Sequence, residues 1–142
     1  KQRQDMIEGS FFVSGALIGS MVFFAAVIAP LVFRVLEPEP AGLFLRQVFP
    51  RFYRFGLIVA ALAAGLAVVE APWAAIVFAV VGIAFLVSDQ WVTPAINRAH
   101  DAHLAGDEAS GRRFDRLHAL SVRIFGCQAL ALVVGFGLLF AR

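Results

Sequence analysis

The chain has 142 residues, of which 61% are hydrophobic and 15% charged, with a single cysteine and a mean hydropathy of +0.83. A soluble domain is about 45–50% apolar and about 25% charged, so this composition excludes a disordered chain, a disulfide-stapled secreted domain and an ordinary soluble enzyme, and points to the membrane. The formal charge is only +2, and the basic residues sit at the ends of apolar runs rather than in a stripe, which argues against a nucleic-acid partner and for the lipid bilayer.

The opening Lys1-Gln2-Arg3-Gln4-Asp5 lacks an initiator Met, which fits a trimmed N-terminus. Phe11 to Phe33 then runs without a charge, long enough to cross a bilayer core and too long for a signal peptide. Pro30 is expected to kink this helix. Gly15 and Gly19 form a small-residue pair suited to close helix packing, as do Ala61 and Gly65 further on, and Gly135 and Gly137 near the end. After Glu37-Pro38-Glu39-Pro40, the stretch Ala41 to Phe52 alternates apolar and polar residues at helical spacing. It reads as a short amphipathic helix lying in the interface, broken or bent at Pro50.

The second apolar run spans Phe55 to Val69 and reaches back to Phe52 and Tyr53 if Arg54 snorkels. Glu70-Ala71-Pro72 makes a turn. The third run starts at Trp73 and continues through Asp89 and Trp91 towards Asn97, and the two tryptophans fit the aromatic belts of a membrane. His100 to Gly111 has no apolar periodicity and is expected to be a mobile loop. Phe114 to Arg123 forms a polar helical lead into the fourth run, Ile124 to Phe140, where Cys127 reads as a small buried hydrophobe. The expected fold is therefore an all-α integral membrane four-helix bundle in one domain over residues 1–142. Its spans are 11–34, 52–70, 73–95 and 117–140, with the interfacial helix between the first two.

Four spans put the termini and the turn at Glu70 on one side, with Lys1, Arg3 and Arg142. The other side holds Arg34, Arg46, Arg51, Arg54, Arg98, Arg112, Arg113, Arg116 and Arg123. The positive-inside rule then places both long loops in the cytoplasm and both termini outside, and the short loops and Ala/Arg richness favour a bacterial inner membrane.

Polar residues gather on that arginine-rich side. Asp89, Thr93 and Asn97 share a face of the third helix, and Leu117, His118, Ser121 and Phe125 share one on the fourth, with Arg123 at similar depth. Arg51, Tyr53 and Arg54 enter the second helix. These groups are expected to converge into one polar cluster. A carboxylate at the hydrocarbon boundary requires a partner, which makes Arg54 the first candidate for Asp89 and Arg123 the second. His100 and His103 with Asp101 form a weak metal-binding tract. Hydrolase, nucleotide-binding and redox motifs are absent.

Four pieces of the chain carry a family resemblance: Gly15 to Phe33, Leu45 to Tyr53, Gln90 to Pro94, and Phe114 to Val122. Their order and spacing, over roughly Gly9 to Leu139, resemble the domain of unknown function 4149 family, which includes a human four-helix membrane protein associated with platinum-drug resistance. The resemblance implies four membrane helices, and it implies that Pro30, Phe49, Pro50, Tyr53, His118 and Ser121 occupy recurrent positions. A more distant likeness is to copper-resistance-protein-D-type and small membrane protoporphyrinogen-oxidase proteins. The haem-ligating His that the oxidases carry in their first helix is missing here.

The expected function is that of a non-enzymatic membrane protein, a small transporter or an accessory subunit of a larger inner-membrane complex, with partner subunits or a second copy as possible associates and no cofactor. The alternative is a metal- or haem-handling membrane protein or oxidoreductase that uses His118 with His100 or His103 to hold haem or copper. A third idea routes protons or small cations past Asp89, Arg54 and His118.

Overall fold

The computed structural model describes residues 1–141; Arg142, counted above with the outer-side charges, lies outside them. The described residues form helices α1 (Gln2–Phe23), α2 (Ala29–Val35), α3 (Pro38–Ala67), α4 (Pro72–Val87), α5 (Thr93–Leu104) and α6 (Glu108–Leu138), with π turns at Phe24–Ile28 and Ser88–Val92. The π turns join α1 to α2 and α4 to α5 without a break, so there are four long helices, each apolar enough to cross a membrane: Gln2–Val35, Pro38–Ala67, Pro72–Leu104 and Glu108–Leu138. The protein is an all-helical integral membrane bundle. Each span packs on its neighbours in chain order, and the first closes on the fourth.

One end of the bundle carries the termini and the turn at residues 68–71, clipped by the Arg3–Glu70 ion pair at 2.9 Å. The other, arginine-rich end carries the links at residues 36–37 and 105–107. Between them runs a thin core of small residues and rings. On α3 the buried positions Tyr53, Gly56, Ala60, Ala63 and Ala67 recur every three or four residues, the stripe of a helix against a neighbour. The Phe85 ring lies over Gly56, where a Cβ would come within 2.7 Å of it, and the Phe78 ring lies over Gly135, where a Cβ would come within 2.6 Å. Gly19, Gly65 and Gly137 face open space instead, and Gly15 makes only an ordinary contact with Phe136. Close approach is thus achieved at Gly56 and Gly135 rather than along the small-residue pairs of α1 and α3.

Several sequence expectations change. The interfacial helix does not exist as a separate element: Ala41 to Phe52 is the first part of α3, which continues through Pro50. The physical reason is the stripe itself. Phe49 and Tyr53 extend it past Pro50, so packing outweighs the one hydrogen bond that proline removes. The Arg51 guanidinium donates to the carbonyl of Gln47 in that same turn.

The segment 100–111 is not a long loop. Helix α5 runs to Leu104 and α6 begins at Glu108. Gly106, with φ of 100°, closes α5: its N–H reaches the His103 carbonyl, and the Asp107 N–H reaches that of Ala102, the paired bonds of a Schellman ending. Asp107 then caps α6 by accepting from the Ala109 N–H at 3.0 Å. Cys127 is exposed on the outer, lipid-facing surface, because the buried side of α6 is set by Gln128, Leu132 and Gly135. Trp73 and Trp91 also point outward.

Candidate functional site

Both π turns lie two residues ahead of a proline, Pro30 or Pro94. Proline has no N–H, and its ring crowds the carbonyl four residues back. Widening the turn relieves this: the Ala29 N–H bonds the Phe24 carbonyl and the Thr93 N–H that of Ser88, each five residues back. The kink expected at Pro30 is therefore a π turn, with a second at Pro94. Each turn re-aims the helix beyond it, and both re-aimed segments border the same space.

That space is a cavity of about 480 Å³ at the arginine-rich end. All four spans line it. Phe33 and Arg34 come from α2, Arg46, Phe49 and Tyr53 from α3, Thr93, Asn97 and His100 from α5, and Phe114, His118 and Ser121 from α6. Glu37 stands at the rim. Arg46 is held by Asp101 and by the Nδ1 of His100 at 3.1 Å, which ties α3 to α5. His118 stacks on Phe114, with ring centroids 6.0 Å apart, and Phe114 also meets the His100 ring at 5.2 Å. The Ser121 hydroxyl donates to the His118 carbonyl at 2.8 Å, so it is not paired with an imidazole base.

The expected cluster divides into two. Tyr53, Asn97, His118 and Ser121 meet around the cavity. Asp89 does not line it, although Thr93 does; the π turn shifts the register that would have aligned Asp89, Thr93 and Asn97. Asp89 instead accepts from Arg54 Nε at 3.2 Å and from Gln90 Nε2 at 2.7 Å, with its side chain only 6% exposed. Arg54 is its partner and Arg123 is not. Arg51 lies along its own helix, donating to Gln47, and neither Arg51 nor Arg123 lines the cavity. His100 and His103 lie against different neighbours: His100 bonds the Arg46 side chain, and the His103 ring lies beside Gly111, where a Cβ would come within 3.0 Å of it. Among the described residues no three His, Cys, Asp or Glu side chains come together as a metal set.

The cavity floor is aromatic. Phe49 and Tyr53 stack at 5.6 Å, and beyond them Phe24 stacks on Phe52 at 4.9 Å, with Phe85 and Phe125 completing the layer. One turn past Phe125 lies Gln128, 3% exposed, whose amide oxygen and nitrogen have no partner among the described residues. A polar side chain inside an apolar span is a strong functional signal. Gln128 is the one amide in the run from Ile124 to Phe140, and the sequence reading passed over it. Arg34 and Arg46 were likewise read only as topology charges.

Among known proteins, no curated protein and no solved structure matches the chain. One family model does, described as "Domain of unknown function (DUF4149)", over residues 12–104. The match takes in the first three spans, including Pro30, Tyr53 and Pro94, and stops before the fourth, so His118, Ser121 and Gln128 lie beyond it. It covers well over half of the residues, and the chain belongs to the DUF4149 family.

Proposed function

We propose that this protein is a non-enzymatic small transporter of an inner membrane, with the arginine-rich end in the cytoplasm and a ligand taken into the cavity there. The observation that carries this reading is the alignment of three layers along α6: an open polar cavity at His118 and Ser121, an aromatic floor at Phe125, and the unpartnered amide of Gln128 behind it. A buried amide without partners costs about 1–3 kcal/mol, which favours a role for Gln128 in a second conformation where a ligand or water reaches it. The two π turns supply the places where the cavity walls can move, since such turns often mark hinges and functional sites. The cavity holds no nucleophile joined to a base, which favours binding over chemistry.

The test is whether Gln128 becomes reachable. In a Cys127→Ser background, Gln128→Cys is placed in sealed vesicles and exposed to a small membrane-impermeant thiol reagent from each side. Transport predicts slow but complete labelling. A Gln128→Cys thiol inert from both sides contradicts transport and leaves a static subunit of a larger complex.

A further inference from the structure

We infer that the cavity binds a membrane amphiphile with an anionic head, a carboxylate or a phosphate monoester, its tail leaving towards the bilayer. This rests on the ligand-binding reading of the same cavity and names the class of ligand.

The charges favour an anion. Arg46 already has the Asp101 carboxylate, but Arg34 has no acidic partner among the described residues. The one acid in the lining, Glu37, is the N-cap residue of α3, whose positive end compensates it. Across the lining, Thr93, Asn97, His118 and Ser121 add polar groups and no carboxylate. A guanidinium that lines the same cavity as these groups is suited to an oxyanion, since charge-assisted hydrogen bonds to it are the strong ones.

The apolar residues favour an amphiphile over a free ion. Phe33 and Val35 line the cavity and are also 64% and 69% exposed, so they border both its interior and the outer surface. Leu31, Leu43 and Phe44 extend that apolar surface outside. An acyl chain whose head lies at Arg34 can run past these exposed apolar side chains of α2 to the lipid, and each methylene it buries strengthens binding. A soluble anion has no use for that path.

The full chain, purified in mild detergent and stripped of lipid, is titrated with dansyl-undecanoate, a fluorescent fatty acid. Saturable binding is expected, displaced by oleate and by lysophosphatidate but not by oleyl alcohol, lysophosphatidylcholine or inorganic phosphate. Arg34→Gln weakens binding about tenfold or more, while Arg34→Lys stays within about threefold. Arg34 is exposed and unpaired, so its loss leaves the fold intact, which an unchanged melting temperature verifies; His118→Ala gives an independent weakening from another span. Absence of saturable binding, equal displacement by oleyl alcohol, displacement by inorganic phosphate, or an Arg34→Gln variant that binds like the parent each overturns the inference. Probe binding with an inert Gln128→Cys retires transport and keeps the ligand class; a labelled Gln128→Cys without probe binding does the reverse.

Discussion

A carboxylate with 6% of its side chain exposed at the edge of an apolar core needs a cation, and Asp89 has Arg54. The need was legible in the sequence, because an acid inside an apolar run is costly unless paired. The choice of Arg54 over Arg123 was half legible: α3 and α4 pack closely, which brings Arg54 to the third span. The pair has a clear energetic signature. Arg54→Leu leaves a nearly buried carboxylate unpaired and should lower stability by about 1–3 kcal/mol in thermal unfolding in detergent. Adding Asp89→Leu should recover part of that loss, since replacing both partners by apolar groups removes the stranded charge. Strictly additive losses would contradict the pairing.

Asp107 allows a pH prediction at the same scale. The Ser110 hydroxyl donating to it, followed by the backbone N–H groups of Ala109 and Ser110, holds its carboxyl below the usual carboxylate range. A lowered folded value means that the cap's contribution is complete above the unfolded value and is lost as pH falls through the lowered one. Amide exchange at residues 108–111, corrected for intrinsic rates, should therefore accelerate at strongly acid pH, and Asp107→Ala should show the same acceleration at neutral pH. The signal was present in the sequence as Gly106-Asp107-Glu108, a helix stop followed by a helix start. The absence of apolar periodicity hid it, since a helix projecting beyond the core need not be amphipathic.

At the scale of elements, the apolar runs located all four spans, because hydropathy over a bilayer's thickness is hard to satisfy otherwise. Their ends were underestimated: α5 and the start of α6 reach beyond the apolar runs, and those reaches build the cavity wall. The π turns explain why face arithmetic failed for Asp89. Spacing of four assumes an unbroken α-helix, and Pro94 breaks that assumption two residues before it enters the chain. Packing glycines were legible only in part. Gly135 was picked out by composition, whereas Gly56, although Ala60 follows it four residues on, was passed over and is revealed by the Phe85 ring above it. Both rings are fully buried and have little room to yield. Gly56→Ala and Gly135→Ala should each cost about 1–3 kcal/mol by overpacking, while Gly65→Ala, facing open space, should be neutral or slightly stabilising. Equal melting temperatures for Gly56→Ala and Gly65→Ala would show that the Phe85 contact is not tight.

For the whole molecule, nine of the arginines mark one end of the bundle, and the cavity opens among the helix extensions at that end. Charge distribution alone pointed to this end as the place to look. It did not reveal a cavity, because the walls are assembled from residues far apart in sequence and re-aimed by two proline-linked turns. The central claim is that this cavity is open at the arginine-rich end and admits a polar reagent to its wall. Its most direct test is the labelling rate of Ser121→Cys in the Cys127→Ser background, measured with an impermeant thiol reagent on vesicles of each orientation. Fast labelling from the arginine-rich side alone, slowed by dansyl-undecanoate, is the expected result. A thiol that reacts equally from both sides, or from neither, would contradict the account.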